Sequence, residues 1–163
     1  MAIQIGDKIP NITLKRLGAN GMEDMAFADY IAGKKIILFA VPGAYTPTCA
    51  QKHLPGYVAN ADAIKAKGVD EIICLAVNDP FVMKAWGESA GATGKVTMLP
   101  DWKAELSGAM GLTFDASGAG LGTRAQRFVM TIENGIVKDV QVEPVASAVE
   151  LSGADVCLAR LAA

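Results

Sequence analysis

The chain has 163 residues, a length that predicts a single domain over residues 1–163. Hydrophobic residues make up 52% of the chain and charged residues 20%, which excludes an intrinsically disordered protein. The 15 Lys and Arg residues are outnumbered by 17 Asp and Glu residues, and only 6% of residues are aromatic. This balance argues against binding to nucleic acid, which uses a basic face and aromatic stacking.

Neither a membrane span nor a secretory signal is visible in the sequence. The apolar run at residues 36–41 ends at Pro42 and is far shorter than the roughly 20 residues of a spanning helix. Residues 1–7 lack the basic region and apolar core of a signal peptide. The three cysteines, at positions 49, 74 and 157, are typical of free thiols in a reducing compartment. We therefore expect a cytoplasmic protein that does not contact a membrane.

Hydrophobic periodicity and turn residues predict alternating strands and helices after an N-terminal extension. In the extension, residues 1–35, we expect a short strand near residues 12–14 and a helical turn near 25–31. The later predicted elements are strand 36–41, a helix from Thr46 to Gly68, strand 71–77, a helix from Asp79 to Ser89, strands 96–99, 127–132 and 136–142, and helix 154–161.

Local signals support several of these boundaries. Thr46 is suited to cap its helix, with Pro47 at the first helical position, and Pro55 is expected to kink that helix. Asn134-Gly135 between two apolar runs is typical of a β-hairpin, and residues 152–155 match a capping box. A parallel strand–helix–strand half followed by an antiparallel hairpin and a helix predicts a thioredoxin-like α/β fold. Its central sheet would be mixed and flanked by helices.

Cys49 lies in the first turn of the helix that follows the buried strand 36–41. Free backbone amides and the positive end of the helix dipole favour the thiolate there, and the thiolate is the nucleophilic form of cysteine. The Thr46 hydroxyl lies one turn back, and Arg127 is the candidate cation, with Arg124 as its competitor. The alternative interpretation is a buried, inert cysteine beside a capping threonine.

The motif Pro42-x-x-x-Thr46-x-x-Cys49 lies within a longer run, residues 41–57, that closely resembles the type II peroxiredoxins, the peroxiredoxin five subfamily. Further matches follow in the same order at residues 74–79, 94–96, 127–128 and 134–137. The resemblance implies a thioredoxin-like thiol peroxidase that uses no cofactor and no metal.

The resemblance also implies a role for each motif residue. Cys49 matches the peroxidatic cysteine, whose thiolate would attack a hydroperoxide and become a sulfenic acid. Thr46 and Arg127 match the groups that orient the peroxide and stabilise charge on its oxygens. Pro42 matches the residue that shields the thiolate from water. Donors fixed along the breaking O–O bond would stabilise the transition state more than the ground state.

Three further residues are predicted to line the substrate pocket. Gly43 and Tyr45 lie within the run of residues 41–57, and Tyr45 stands where many relatives have Phe. His53, the only histidine, lies four residues after Cys49 and therefore on the same helix face. The alternative for His53 is a helix residue at the solvent edge.

A sulfenic acid needs a second thiol to resolve it. The sequence has no Cys-x-x-Cys motif, and neither Cys74 nor Cys157 is favoured, because both are interpreted as core residues. Type II members with an intramolecular disulfide carry the resolving cysteine in the C-terminal segment, where a gapless comparison places Leu151. The expected reductant is therefore external: glutathione with glutaredoxin, or alternatively thioredoxin.

Other interpretations remain open at this point. Cys49, His53, Cys74 and Cys157 form a nominal Cys₃His set, but zinc sites usually use closely spaced ligand pairs, so no metal is expected. A thioredoxin-like binding or chaperone module without peroxidase chemistry is the second alternative. The resemblance also implies a homodimer that pairs around the active-site loop near Tyr45.

Overall fold

The computed structural model describes residues 1–162. The strands are β1 (Thr13–Gly18), β2 (Gly21–Ala26), β3 (Lys35–Val41), β4 (Glu71–Ala76), β5 (Thr97–Pro100), β6 (Thr113–Asp115), β7 (Thr123–Ala125), β8 (Phe128–Glu133) and β9 (Ile136–Val142). The α-helices are α1 (Phe27–Ile31), α2 (Leu54–Lys65), α3 (Pro80–Ser89), α4 (Glu105–Ala109) and α5 (Ala154–Ala162).

A mixed five-stranded sheet forms the centre of the molecule, in the order β5-β4-β3-β8-β9. The pairs β3–β4 and β4–β5 are parallel, whereas β3–β8 and β8–β9 are antiparallel. The sheet is flanked by helices, so the predicted thioredoxin-like α/β class is confirmed.

Strand β3 lies in the middle of this sheet and is covered on both faces. Residues 36–41 are all fully buried, which explains why the strand is one continuous apolar run. Ile36, Leu38 and Ala40 face a core that includes α1 and α4. Ile37, Phe39 and Val41 face a second core that includes α2, α3 and α5, and Cys49 lies in this second core.

Two local signals from the sequence are confirmed. Asp79 caps α3, since its side chain accepts a hydrogen bond from the Val82 amide, and Pro80 begins the helix as expected. Asn134 and Gly135 join β8 to β9 with φ angles of 47° and 78°. Positive φ at both positions is the geometry that makes Asn-Gly a hairpin turn.

The N-terminal extension differs from the prediction. It forms a β1–β2 hairpin, so Met25 lies in a strand, and the helix begins only at Phe27. Met25 pairs with Leu14 and both are buried against the core, which outweighs the helical propensity of the segment. A second unpredicted hairpin, β6–β7, flanks the loop at residues 117–122.

The predicted capping box at α5 is wrong. The amide and hydroxyl of Ser152 both donate to the Glu143 carboxylate, and among the described residues no helix amide donates to the Ser152 hydroxyl. The first backbone bond of α5 instead runs from Cys157 to the carbonyl of Gly153. Among residues 1–162, no helix is long and apolar enough to span a membrane.

Candidate active site

The site is built where the central strand β3 ends. The loop after Val41 leads into a helix that begins at Pro47, as predicted, and contains a π turn, Cys49–His53, before α2. In this turn the amide of Leu54 bonds to the carbonyl of Cys49, five residues back. Pro55, which has no amide hydrogen, follows directly. The irregularity expected at Pro55 therefore takes the form of a wider turn, a feature common at functional sites.

Cys49 lies in the first turn of that helix and is fully buried. The Nη2 atom of Arg127 donates a hydrogen bond of 3.0 Å to the Cys49 Sγ atom. The guanidinium places a permanent positive charge in direct contact with the sulfur, which suits a cysteine that acts as a nucleophile. The structure thus joins two residues that are 78 positions apart in the sequence.

All three nitrogens of the Arg127 guanidinium make hydrogen bonds. Besides the bond to Cys49, Nε donates to the carbonyl of Ala146 at 2.8 Å, and Nη1 lies 2.8 Å from His53 Nδ1. Arg124, the competing candidate, donates to the carbonyl oxygens of Leu121 and Pro42. The cation in contact with the Cys49 sulfur is therefore Arg127.

His53 is fully buried, so the solvent-edge alternative is wrong. Because Arg127 can only donate, Nδ1 of His53 must accept, and Nε2 carries the proton that it donates to the Ser152 carbonyl at 3.0 Å. Burial, reinforced by the charge of Arg127, lowers the pKa of His53 to about 3. The imidazole is neutral at physiological pH, with one tautomer set by its two partners.

A cavity of about 330 Å³ adjoins these side chains. Its walls are formed by Pro42, Thr46, Pro47, Thr48, Phe114, Asp115, Ala116, Gly118, Ala119, Leu121, Arg127, Ala146 and Ser147. Thr46 and Arg127 line this cavity, whereas Cys49 is fully buried and is not part of the lining. The Thr46 hydroxyl donates to the Gly43 carbonyl at 2.7 Å rather than accepting from a helix amide, which leaves its oxygen able to accept.

Three residues predicted to line the pocket are placed elsewhere. Tyr45 is 53% exposed, with its ring 6.3 Å from that of Trp86, and it takes no part in the cavity wall. Gly43 is not part of the cavity lining but lies next to a residue that is, since a Cβ atom there would lie 3.1 Å from Thr46 Cγ2. His53 contacts the Arg127 guanidinium and is not part of the cavity lining. Sequence spacing placed all three near Cys49 but could not determine which way they face.

The other two cysteines are free and buried. Cys74 lies in β4, and burial raises the pKa of its thiol well above the ordinary value. Burial also raises the pKa of Cys157, on α5, to about 11. Within residues 1–162 no three His, Cys, Asp or Glu side chains are grouped as metal ligands, so the nominal Cys₃His set is not assembled.

Glu143 was not predicted from the sequence as a residue of the site. Glu143 is only 5% exposed, and its Oε2 atom accepts hydrogen bonds from the amides of Leu151 and Ser152 and from the Ser152 hydroxyl. Burial alone would raise the pKa of Glu143, but these hydrogen bonds hold it below the ordinary value. The only sequence signal was an acidic residue at the end of β9, and such residues are common on protein surfaces.

The fold and the site together define the class of protein to which this chain belongs. A thioredoxin-like sheet that presents a helix-borne cysteine to a buried arginine is the arrangement of thiol peroxidases. The profile of the redoxin family matches residues 4–158. The chain belongs to this family, and within it to the type II peroxiredoxins.

Individual relatives agree with this assignment. The chain is 42% identical over 146 residues to "Peroxiredoxin-2E, chloroplastic" of Arabidopsis thaliana, covering 87% of this chain but only 62% of that protein. It is 42% identical over 142 residues to "Peroxiredoxin-2D" of the same plant, covering 86% and 88%. The solved structure of reduced Prx3 from Vibrio vulnificus, in complex with H₂O₂, has a TM-score of 0.93 and 47% identity, covering 98% of this chain and 99% of that one.

Proposed function

We propose that this protein reduces hydrogen peroxide and organic hydroperoxides to water and alcohols, with Cys49 as the peroxidatic thiol. The observation that carries the proposal is the 3.0 Å hydrogen bond from Arg127 to Cys49 beside the cavity. Cysteine reacts with peroxide as its thiolate, and Arg127 places a permanent positive charge against the Cys49 sulfur, where it can attract that anion.

In the proposed reaction, the Cys49 thiolate attacks the terminal oxygen of the peroxide. The terminal hydroxyl is transferred to sulfur as a sulfur–oxygen bond forms and the O–O bond breaks. The leaving oxygen takes a proton from solvent, which balances the proton that the Cys49 thiol gave up on forming the thiolate, and becomes water or an alcohol. The sulfur is oxidised to a sulfenic acid and the peroxide is reduced. Arg127 stabilises the negative charge that develops on the leaving oxygen, and the Thr46 oxygen accepts a hydrogen bond from the peroxide.

An external thiol completes the proposed cycle. It attacks the sulfenic acid, releases water and forms a mixed disulfide, which a second thiol reduces. The burial and raised pKa of Cys74 and Cys157 make both poor resolving thiols, which supports an external reductant. Glutathione with glutaredoxin is the favoured source, and thioredoxin is the alternative.

We further propose that the protein acts in the cytoplasm as a homodimer. Two large apolar side chains, Tyr45 and Phe81, are 53% and 66% exposed. They follow the carboxyl ends of the parallel strands β3 and β4, so they lie at the same edge of the sheet. Sedimentation velocity of wild type and of Phe81→Asp tests the dimer, since a charge at this surface should shift the protein towards the monomer.

Intact mass spectrometry tests the peroxidase proposal. Reduced protein is mixed with one equivalent of hydrogen peroxide, with and without glutathione, beside the variants Cys49→Ser and Cys157→Ser. We expect a species one oxygen heavier that converts to a glutathione adduct, present in Cys157→Ser and absent in Cys49→Ser. A species two hydrogens lighter would mean an internal disulfide and overturn the external reductant.

The same experiment separates the peroxidase from the second candidate class. A binding or chaperone module on this fold would leave Cys49 unmodified by stoichiometric peroxide, and its function would survive Cys49→Ser.

A further inference from the structure

Glu143 occupies an unusual position relative to Arg127. Its backbone amide donates to the Arg127 carbonyl at 2.9 Å, immediately beyond the β8–β9 pairing of Phe128 with Val142. Its carboxylate accepts hydrogen bonds from Leu151 and Ser152, in the turn that precedes α5. The same residue therefore contacts both the backbone of the active-site arginine and a separate segment of the chain.

The Glu143 carboxylate holds that turn firmly. Its Oε2 atom accepts from the Ser152 amide at 2.7 Å, the Ser152 hydroxyl at 2.7 Å and the Leu151 amide at 2.8 Å. Ser152 is fully buried, so removing the carboxylate would leave buried donors without a partner. The orientation of the Ser152 peptide thus depends on Glu143.

The Ser152 carbonyl in turn orients His53. It accepts the Nε2 proton of His53 at 3.0 Å and the hydroxyl of Tyr57 at 2.6 Å. With Nε2 protonated, Nδ1 carries a lone pair that accepts from Arg127 Nη1 at 2.8 Å. The other tautomer would place a hydrogen against the guanidinium, which has only donors.

These contacts close a ring that begins and ends at Arg127. We propose that Glu143 is a positioning residue for peroxide reduction, acting through Ser152 and His53 to hold the Arg127 guanidinium against Cys49. The inference rests on the proposed function. It adds to that function a residue outside the motif, 94 positions after Cys49 (143 − 49 = 94).

Glu143→Ala tests the proposal, with Glu143→Gln as the conservative variant and Glu150→Ala as the control. Glu150 is an exposed carboxylate in the same segment. Three quantities are measured for each protein: the rate constant for Cys49 oxidation by hydrogen peroxide, the thermal unfolding midpoint, and the His53 tautomer from ring ¹⁵N NMR. All rates are taken well below the unfolding midpoint of the least stable variant.

We expect Glu143→Ala to lower the peroxide rate constant about tenfold or more, because the guanidinium loses its fixed orientation. His53 should lose its single Nε2-protonated tautomer in the same variant. Glu143→Gln should stay within about threefold of wild type, since its amide oxygen still accepts from the buried turn. Glu150→Ala should match wild type in all three measurements.

A Glu143→Ala protein with the wild-type peroxide rate and tautomer but a lower unfolding midpoint would overturn the proposal, because Glu143 would then serve stability alone. If Glu143→Ala does not fold, Glu143→Asp replaces it, since its carboxylate is one carbon–carbon bond shorter and keeps the charge. If wild-type Cys49 does not react with peroxide, the proposed function fails, and the tautomer measurement still decides whether Glu143 orients His53.

Discussion

His53 makes the stability of this protein dependent on pH in a way that can be calculated from its surroundings. The imidazole is fully buried, and burial together with Arg127 lowers its pKa from 6.5 to about 3. Between these two values the unfolded chain binds a proton at His53 and the folded chain does not. The free energy of unfolding must therefore fall as the pH falls below about 6.5, and this contribution is constant above that pH.

The size of the effect follows from the same values. One proton bound only by the unfolded state changes the free energy of unfolding by about 1.4 kcal/mol per pH unit. From pH 8 to pH 5 the loss amounts to about 2 kcal/mol, roughly a thirtyfold change in the folding equilibrium. Solvent does not screen this interaction, since the ring has no exposed surface.

Urea unfolding of wild type and His53→Gln, at half-unit steps from pH 8 to pH 5 with a reductant present, measures this contribution. Carboxylates with lowered pKa values, such as Glu143 and Asp139, also destabilise the folded state in acid, but they do so in both proteins. The difference between the two proteins isolates His53 and should narrow by about 2 kcal/mol towards pH 5. A difference independent of pH would refute the neutral, buried imidazole.

Two further substitutions test the site, and a third tests a helix cap outside it. Arg127→Lys should lower the rate of Cys49 oxidation by peroxide about 100-fold, because one ammonium group cannot replace three directed nitrogens. Stopped-flow measurements give this rate, and a rate near that of wild type would contradict the prediction. Gly43→Ala places a methyl group 3.1 Å from Thr46 Cγ2 and 2.8 Å from Arg124 Nη1, so Thr46 must shift and the same reaction should slow several-fold. Gly108→Ala, with open space around it, should leave the rate unchanged, and equal rates for the two variants would contradict the effect on Thr46. Asp79→Ala removes only a helix cap, so it should lower the free energy of unfolding by about 1 kcal/mol and leave the peroxide rate unchanged. Chemical unfolding measures the first quantity, and an unchanged free energy would show that the cap does not stabilise the fold.

Local sequence signals predicted much of the framework. The continuous apolar run of β3 indicated a strand buried on both faces. Asn134-Gly135 indicated the hairpin that joins β8 to the edge strand β9. The position of Cys49 at the start of a helix likewise depended only on its neighbours, Thr46 and Pro47. Each of these features involves residues within a few positions of one another, so short-range physics was sufficient.

The contacts that make the site were decided by the tertiary structure. Arg127 and His53 are 74 residues apart, and Glu143 reaches Arg127 through Ser152 and His53. The burial of His53 and its lowered pKa follow from elements packing over it, which no helical spacing from Cys49 could indicate.

The sequence by itself therefore determined the order of the central-sheet strands and the helices between them, the fold class and the helix position of Cys49. It did not determine the β1–β2 and β6–β7 hairpins. The tertiary structure decided that Arg127 rather than Arg124 touches the sulfur, that His53 is buried and neutral, and that Tyr45 lies outside the cavity. Turns, caps and strand patterns are fixed by local backbone preferences. Side-chain burial and hydrogen-bond partners depend on which distant segments pack together.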